Sequence, residues 1–225
     1  MAGLLEGKVV LVTGAGQGVG RDIALQAGQA GAKVMVNDLG TSITGEGVDT
    51  ALAEQVAQEI RAAGGEASSC AASVTDRVAV RTMIEQCQDE LGGLNHLVNN
   101  AGIMPLSPLA NRRVAEWDQM IDVNIKGVLY GIDAVLSHML ERGEGHGINI
   151  SSVAGLMTTP TSAVYSGTKH AVKAISEGLR KETAGVIRVT TIYPGKVNTE
   201  LGLSIKDPDV LAGIGDRFNY KGLDA

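Results

Sequence analysis

The sequence predicts an α/β fold, a doubly wound parallel sheet flanked by helices. Three observations carry that expectation. Short apolar runs without polar alternation, such as Val9-Val10-Leu11-Val12, have the pattern of parallel strands buried on both faces. Longer stretches with helical spacing stand between such runs, so strand and helix alternate along the chain. No internal repeat or low-complexity segment interrupts this order, and 225 residues with a mass of 23.3 kDa fit one domain, 1–225.

Each element follows from local signals. After Val12 come glycines, then a helix from about Val19 to Ala30, stopped by Gly31. Lys33 to Asn37 reads as the second strand. Helical spacing resumes at about Val48 to Ala63 and ends at Gly64-Gly65. Glu66 to Cys70 is a third short strand, and a helix from Asp76 to Leu91 follows with Asp76 as a candidate N-cap. His96 to Asn99 is the fourth strand. One long helix is expected over about Arg113 to Arg142, then a fifth strand from Gly147 to Ser151. Ala163 to Thr183 is the next helix, and Val186 to Ile192 the sixth strand, closed by Pro194-Gly195. Right-handed crossovers between parallel strands complete the expectation.

Composition narrows the function classes. Net charge is −6 with a pI of about 5.2 and no basic stripe, which disfavours nucleic acid and anionic membranes as partners. No apolar stretch reaches the roughly 18–20 residues that cross a bilayer, and Met1 to Glu6 lacks the features of a signal peptide. Cys70 and Cys87 form no C-x-x-C pair and read as packing residues, so a cytoplasmic location is the simplest inference. His96, His138, His146 and His170 lack metal-ligand spacing, and no metal is expected. Asn149-Ile150-Ser151 matches a glycosylation acceptor but falls in a predicted buried strand.

Two segments carry chemistry. T-G-A-G-Q-G-V-G, Thr13 to Gly20, leaves the first strand and opens the first helix. Gly14 permits a tight turn, while Gly18 and Gly20 allow close approach of backbone to a pyrophosphate and of helix to sheet. The helix N-terminus behind them offers free N–H groups and the positive dipole end to an anion. An ordinary glycine turn remains the plain alternative. Asp38, at the end of the second strand, can accept both ribose hydroxyls and repels a 2′-phosphate, which selects NAD over NADP. Gln17 is neutral and Leu39 apolar, whereas Arg21 and Lys33 are nearby cations that complicate the choice. In Y-S-G-T-K, Tyr165 and Lys169 are one helical turn apart, and Ser152 lies thirteen residues before the tyrosine.

With these motifs the chain resembles the short-chain dehydrogenase/reductase family from about Glu6 to Leu201. The resemblance rests on T-G-A-G-Q-G-V-G, on N-N-A-G at Asn99 to Gly102, and on Asn124 in D-V-N-I-K-G. It continues with Ser152 in N-I-S-S-V-A-G, with Y-S-G-T-K, and with P-G-K-V-N-T at Pro194 to Thr199. V-N-D-L-G at Val36 to Gly40 and the following T-S-I-T-G-E-G-V-D-T are similar to the (3R)-hydroxyacyl-CoA dehydrogenase branch. The later half is more like general secondary-alcohol dehydrogenases.

The resemblance implies a Rossmann-type sheet, an NAD cofactor and a small-molecule alcohol or ketone substrate. It implies Tyr165 as general acid or base, and Lys169 as the charge that stabilises its phenolate together with oxidised nicotinamide. Ser152 would bond the substrate oxygen, and Asn124 would hold a water linking Lys169 to solvent. Gly14, Gln17, Gly18, Val19 and Gly20 would cradle the dinucleotide. Asn99, Asn100, Ala101 and Gly102 would line its adenosine side, with Ser73 and Val74 where relatives often carry an aspartate. Pro194, Gly195, Val197 and Thr199 would meet the nicotinamide. Met104, Leu106, Met157 and Trp117 are candidates for an apolar substrate pocket, with core packing equally open for Trp117.

One departure matters. Only about thirty residues follow Gly195, and Tyr220 to Ala225 does not read as the family's seventh strand. Six strands are therefore expected, with 200–225 a shortened substrate-loop segment and an exposed sheet edge. A homodimer or homotetramer would use the two long helices. The leading functional reading is an NAD-dependent secondary-alcohol dehydrogenase, with a 3-hydroxyacyl thioester as a lesser substrate option. A cofactor-binding sensor or interaction protein that has lost turnover stays open as the alternative.

Overall fold

The computed structural model describes residues 3–40, 51–214 and 223–224. Twelve elements build the main body: β1 (Val9–Thr13), α1 (Gly18–Gln29), β2 (Lys33–Asn37), α2 (Ala51–Ala62), β3 (Glu66–Cys70), α3 (Arg77–Leu91), β4 (His96–Asn99), α4 (Val114–Ile121), α5 (Gly127–Arg142), β5 (Gly145–Ile150), α6 (Ala163–Glu182) and β6 (Ile187–Ile192). The strands form one six-stranded parallel sheet in the order β3-β2-β1-β4-β5-β6. The chain winds outward from β1 to β3, then returns to lay β4 on the other side of β1. That reversal opens a crevice at the carboxyl ends of β1 and β4.

Alternation along β1 separates two cores. Val10 and Val12 pack with Ala24, Val34, Val36, Val56 and Ile60 on the face covered by α1 and α2. Val9 and Leu11 pack with Met35, Ile84, Leu97, Val135 and Met139 on the face covered by α3 and α5. Both faces are dry, and β1 is buried throughout. Asp76 caps α3 by accepting from the N–H groups of Val78 and Ala79, and Gly92 ends it in the left-handed region at φ 83°.

The structure departs from the sequence reading in four places. The expected Arg113–Arg142 helix keeps its course but contains a π-helical turn at Asp122–Lys126 between α4 and α5. The fifth strand starts at Gly145 rather than Gly147, because Gly145 already pairs with Ile187 of β6. A helix α7 (Pro208–Ile214) was not foreseen, although Asp207-Pro208 is an N-cap and first-turn signature. Strand β7 (Val197–Asn198) pairs with β8 (Leu223–Asp224) in a separate two-stranded sheet. Two-residue strands are too short to leave a periodic signal. The T-S-I-T-G-E-G-V-D-T stretch, and with it the expected helix start at Val48, lies outside the described residues.

Candidate active site

The crevice is built first from glycine. A Cβ on Gly14, which sits at φ 63°, would stand 2.7 Å from the Ala101 Cα. One on Gly20 would stand 2.1 Å from the Gly14 carbonyl oxygen, so helix, turn and β4 approach at a distance only glycine permits. The first turn of α1 holds no acidic residue, and Gln17 at its cap makes no side-chain cap bond, which leaves the turn open to an anion.

Asp38 closes the other side. Its Oδ2 accepts from the Gly16 N–H and its Oδ1 from the Gly40 N–H, both at 2.8 Å. Each oxygen keeps acceptor capacity for a ligand hydroxyl. The two competing cations are engaged elsewhere: Arg21 with Glu59 at 2.6 Å and Lys33 with Glu66 at 2.9 Å. These donors and acceptors fit a dinucleotide.

N-N-A-G staples β4 to the glycine turn. Asn100 Nδ2 donates to the carbonyls of Thr13 and Gly14 at 3.0 and 2.9 Å. The Thr13 hydroxyl accepts from the N–H groups of Asn100 and Ala101. Asn99 points the other way, donating to Asn149 Oδ1 at 2.8 Å inside the protein, and Asn149 in turn donates to Ser176. Asn99 is therefore not part of the crevice wall. A strand places neighbours on opposite faces, and only Asn100 faces the turn.

The π-helical turn aims Asn124 at the segment after Gly102. Its Oδ1 accepts from the Ile103 N–H and its Nδ2 donates to the Ile103 carbonyl, both at 2.9 Å, with a further bond to Thr168 Oγ1 at 3.1 Å. The side chain is 1% exposed and does not line the crevice. Both Nδ2 protons are thus committed to protein groups, while Oδ1 accepts one bond and keeps further acceptor capacity. A widened helical turn of this kind is a common device at functional sites.

Ser152, Tyr165 and Lys169 converge at the end of β5 and the start of α6. The two neighbouring serines separate clearly. Ser151 is buried and donates to the Lys169 carbonyl at 3.0 Å, while Ser152 lines the crevice with Tyr165 and its Oγ accepts from the Ala154 N–H at 3.1 Å. Lys169 Nζ donates to the Ile150 carbonyl at 3.0 Å and lies 5.9 Å from the Tyr165 ring centre. Burial lowers Lys169 to about 8. Burial also raises the Tyr165 phenol above its ordinary value, with the Ser152 hydroxyl acting in the opposite direction.

These parts share one crevice of about 930 Å³. Gly14, Gln17, Gly18, Val19, Gly20, Asp38, Ser73, Val74, Asn100, Ala101, Gly102, Ser152, Tyr165, Lys169, Pro194, Gly195, Val197 and Thr199 all line it, as do Met104, Leu106 and Met157. Trp117 is half-buried and does not. The sequence reading missed Gln119, Asp122 and Val123, which the π-helical turn and its preceding helix bring to the wall. It also missed a roof, Glu200, Leu201, Ser204 and Val210, whose far end is pinned by Asp207. Asp207 is 1% exposed, accepts from Asn111 Nδ2 at 2.9 Å and from the Asp209 N–H at 3.0 Å, and faces Arg113 at 4.0 Å.

A doubly wound sheet with a glycine turn, a ribose-directed carboxylate and a tyrosine–lysine pair in one crevice defines a nicotinamide-dependent oxidoreductase architecture. The sequence model of the short chain dehydrogenase family matches residues 8–209. The chain belongs to that family of oxidoreductases, whose members bind a nicotinamide cofactor. An uncharacterised oxidoreductase of Staphylococcus saprophyticus is 42% identical over 218 residues, 95% of this chain and 84% of that protein. One from Listeria monocytogenes is 39% identical over 222 residues, covering 97% and 86% of the two. A gluconate 5-dehydrogenase from Burkholderia cenocepacia, solved with NADP and tartrate, superimposes with a TM-score of 0.82 at 32% identity, over 95% of this chain and 79% of that one. A short chain dehydrogenase/reductase from Burkholderia phymatum, solved with NAD, gives a TM-score of 0.82 at 28% identity, over 89% and 69%.

Proposed function

We propose that this protein is an NAD-dependent dehydrogenase that interconverts a secondary alcohol and its ketone. The observation that carries the reading is the meeting of Ser152, Tyr165 and Lys169 in the crevice that also holds the glycine turn and Asp38. A bound oxidised nicotinamide supplies the hydride acceptor and a positive charge near the phenol. In the oxidising direction the alcohol proton passes to the Tyr165 phenolate oxygen as the carbon loses a hydride. Ser152 Oγ donates to the substrate oxygen, where negative charge develops. Lys169 keeps a cation beside the tyrosine and would hold the cofactor ribose. Asn124 acts through Ile103 and Thr168 as a positioning residue.

Asp38 supports NAD over NADP, because a 2′-phosphate would meet a carboxylate whose orientation two backbone N–H groups fix. The solved relatives carry NAD in one case and NADP in the other, so the choice rests on Asp38. The test joins a fluorescence titration with NADH and NADPH to the turnover of Tyr165→Phe. Tighter NADH binding and a turnover loss of about 10²–10⁴-fold, with NADH affinity kept, are expected. Full turnover in Tyr165→Phe would sink the catalytic assignment. NADH binding without turnover of any alcohol in the native protein would favour the binding-only alternative.

A further inference from the structure

We infer that the substrate, on the dehydrogenase reading above, is uncharged and carries an aliphatic chain that runs out of the crevice along an apolar rim. Three segments are involved, 109–114, 153–157 and 201–211, of which the second and third line the crevice and the first is tied to the third. The first and third are joined by Asn111, which donates to Asp207 and Asp209 at 2.9 Å each. The second and third both line the crevice, through Val153, Met157 and Leu201. Each also leaves large apolar side chains in solvent: Leu109, Leu156, Met157, Leu203 and Leu211 are all between 51% and 65% exposed. Of these Met157 lines the crevice itself, and Leu156, Leu203 and Leu211 each adjoin a lining residue along the chain; apolar exposure concentrated beside an opening marks a binding surface. Met104, Leu106, Leu201 and Val210 add apolar surface inside the crevice.

The rim is also held in place. Asp207 is 1% exposed, and its carboxylate takes the N–H groups of Asp209 and Val210 as well as the Asn111 amide. A pre-formed surface loses less ordering entropy when a chain settles on it.

Charge points the same way. Among the described residues lining the crevice, the carboxylates are Asp38, Asp122 and Glu200 and the ammonium groups are Lys169 and Lys196. Lys169 already donates to the Ile150 carbonyl. Asp38 and Glu200 belong to the cofactor side, and a carboxylate or phosphate on the substrate would find no arginine among the described lining residues to clamp it.

The experiment uses the full chain, saturating NAD, and the series 2-butanol, 2-hexanol, 2-octanol and 2-decanol, with an ω-carboxylate analogue of each longer alcohol. Binding of the matching 2-alkanones to the NADH complex is followed by calorimetry, a readout independent of turnover. Expected are gains in kcat/KM and in ketone affinity of about two- to fourfold per added methylene, with each carboxylate at least about tenfold poorer. Leu156→Ser and Leu203→Ser should flatten the gain for the longest members while leaving the Tm in place. Turnover of short alcohols with a flat series, or a carboxylate that equals its parent, overturns the inference and leaves the dehydrogenase reading standing. A flat series with a lowered Tm in Leu203→Ser also overturns it, since the rim would then be packing surface. Ketone affinity that grows with chain length without turnover upholds the ligand class and sinks the catalytic reading. No binding of any ketone despite NADH binding overturns the inference outright.

Discussion

Asn99 and Asn124 are buried amides of the same chemistry, yet they act on different parts of the molecule. Asn99 belongs to an internal ladder through Asn149 to Ser176, whereas Asn124 clamps Ile103 beside Gly102. A Cβ at Gly102 would stand 3.5 Å from Lys169 Nζ, so the clamp reaches the proposed catalytic lysine. Asn99→Ala should cost about 1–3 kcal/mol of stability by orphaning a buried partner, with turnover kept. Asn124→Ala should cost a similar amount and lower kcat as well; melting curves and kinetics on both variants check the contrast.

His96 gives a second residue-scale expectation. It packs edge-on against His146 with ring centres 5.4 Å apart, and burial pushes it down to about 4 from an ordinary 6.5. Above pH 6.5 the imidazole is neutral in both folded and unfolded chains, so it adds no pH dependence. Between 6.5 and about 4 the unfolded chain takes up a proton that the folded one refuses, so stability falls as pH falls. The slope from this group is at most about 1.4 kcal/mol per pH unit. Chemical denaturation across that window should show it, and His96→Gln should flatten it.

At the scale of elements, two helical glycines make opposite predictions. Gly20 in α1 abuts the Gly14 carbonyl and the Asn100 amide, where a Cβ would stand at 2.1 and 2.4 Å. Gly20→Ala should spread the turn, lower stability by about 1–3 kcal/mol and weaken NADH binding. Gly167 in α6 is exposed, and among the described residues a Cβ there would meet no atom within 4 Å beyond its own helix turn. Gly167→Ala should raise stability by about 0.5–1 kcal/mol and leave NADH binding alone. Paired melting and titration experiments read both. The first glycine's necessity was legible from its place between strand and helix. The π-helical turn at Asp122–Lys126 was not, because D-V-N-I-K has helical spacing whether the turn is α or π, and only the tertiary bond to Ile103 distinguishes them.

For the whole molecule, the family's members are typically oligomeric, and α5 offers a surface for assembly. Leu129 and Leu140 are 41% and 43% exposed and lie about three turns apart on one face. We expect a homodimer or homotetramer through the long helices. Sedimentation should give a mass above one chain, and Leu129→Arg should move it toward the monomer. A native protein that sediments as a single chain would refute this. Among the described residues, no helix is long and apolar enough to cross a membrane, and no group of three metal-ligating side chains occurs.

The sequence by itself determined the sheet and its six strands to within about two residues, and it named candidate site positions most of which the structure gathers in one crevice. Those properties are local: buried parallel strands write continuous apolar runs, and glycine turns and tyrosine–lysine spacing are read along the chain. The tertiary structure decided what depends on facing directions and distant partners. It turned Asn99 inward and Asn100 toward the glycine turn, engaged Arg21 and Lys33 with carboxylates, and gave Asn124 to Ile103. It also laid Glu200 to Val210 over the crevice and pinned them through Asp207. Asn111 and Asp207 stand ninety-six positions apart, and no local pattern announces that they meet. Burial, which sets the balance at Tyr165 and Lys169, exists only once the chain has closed around them.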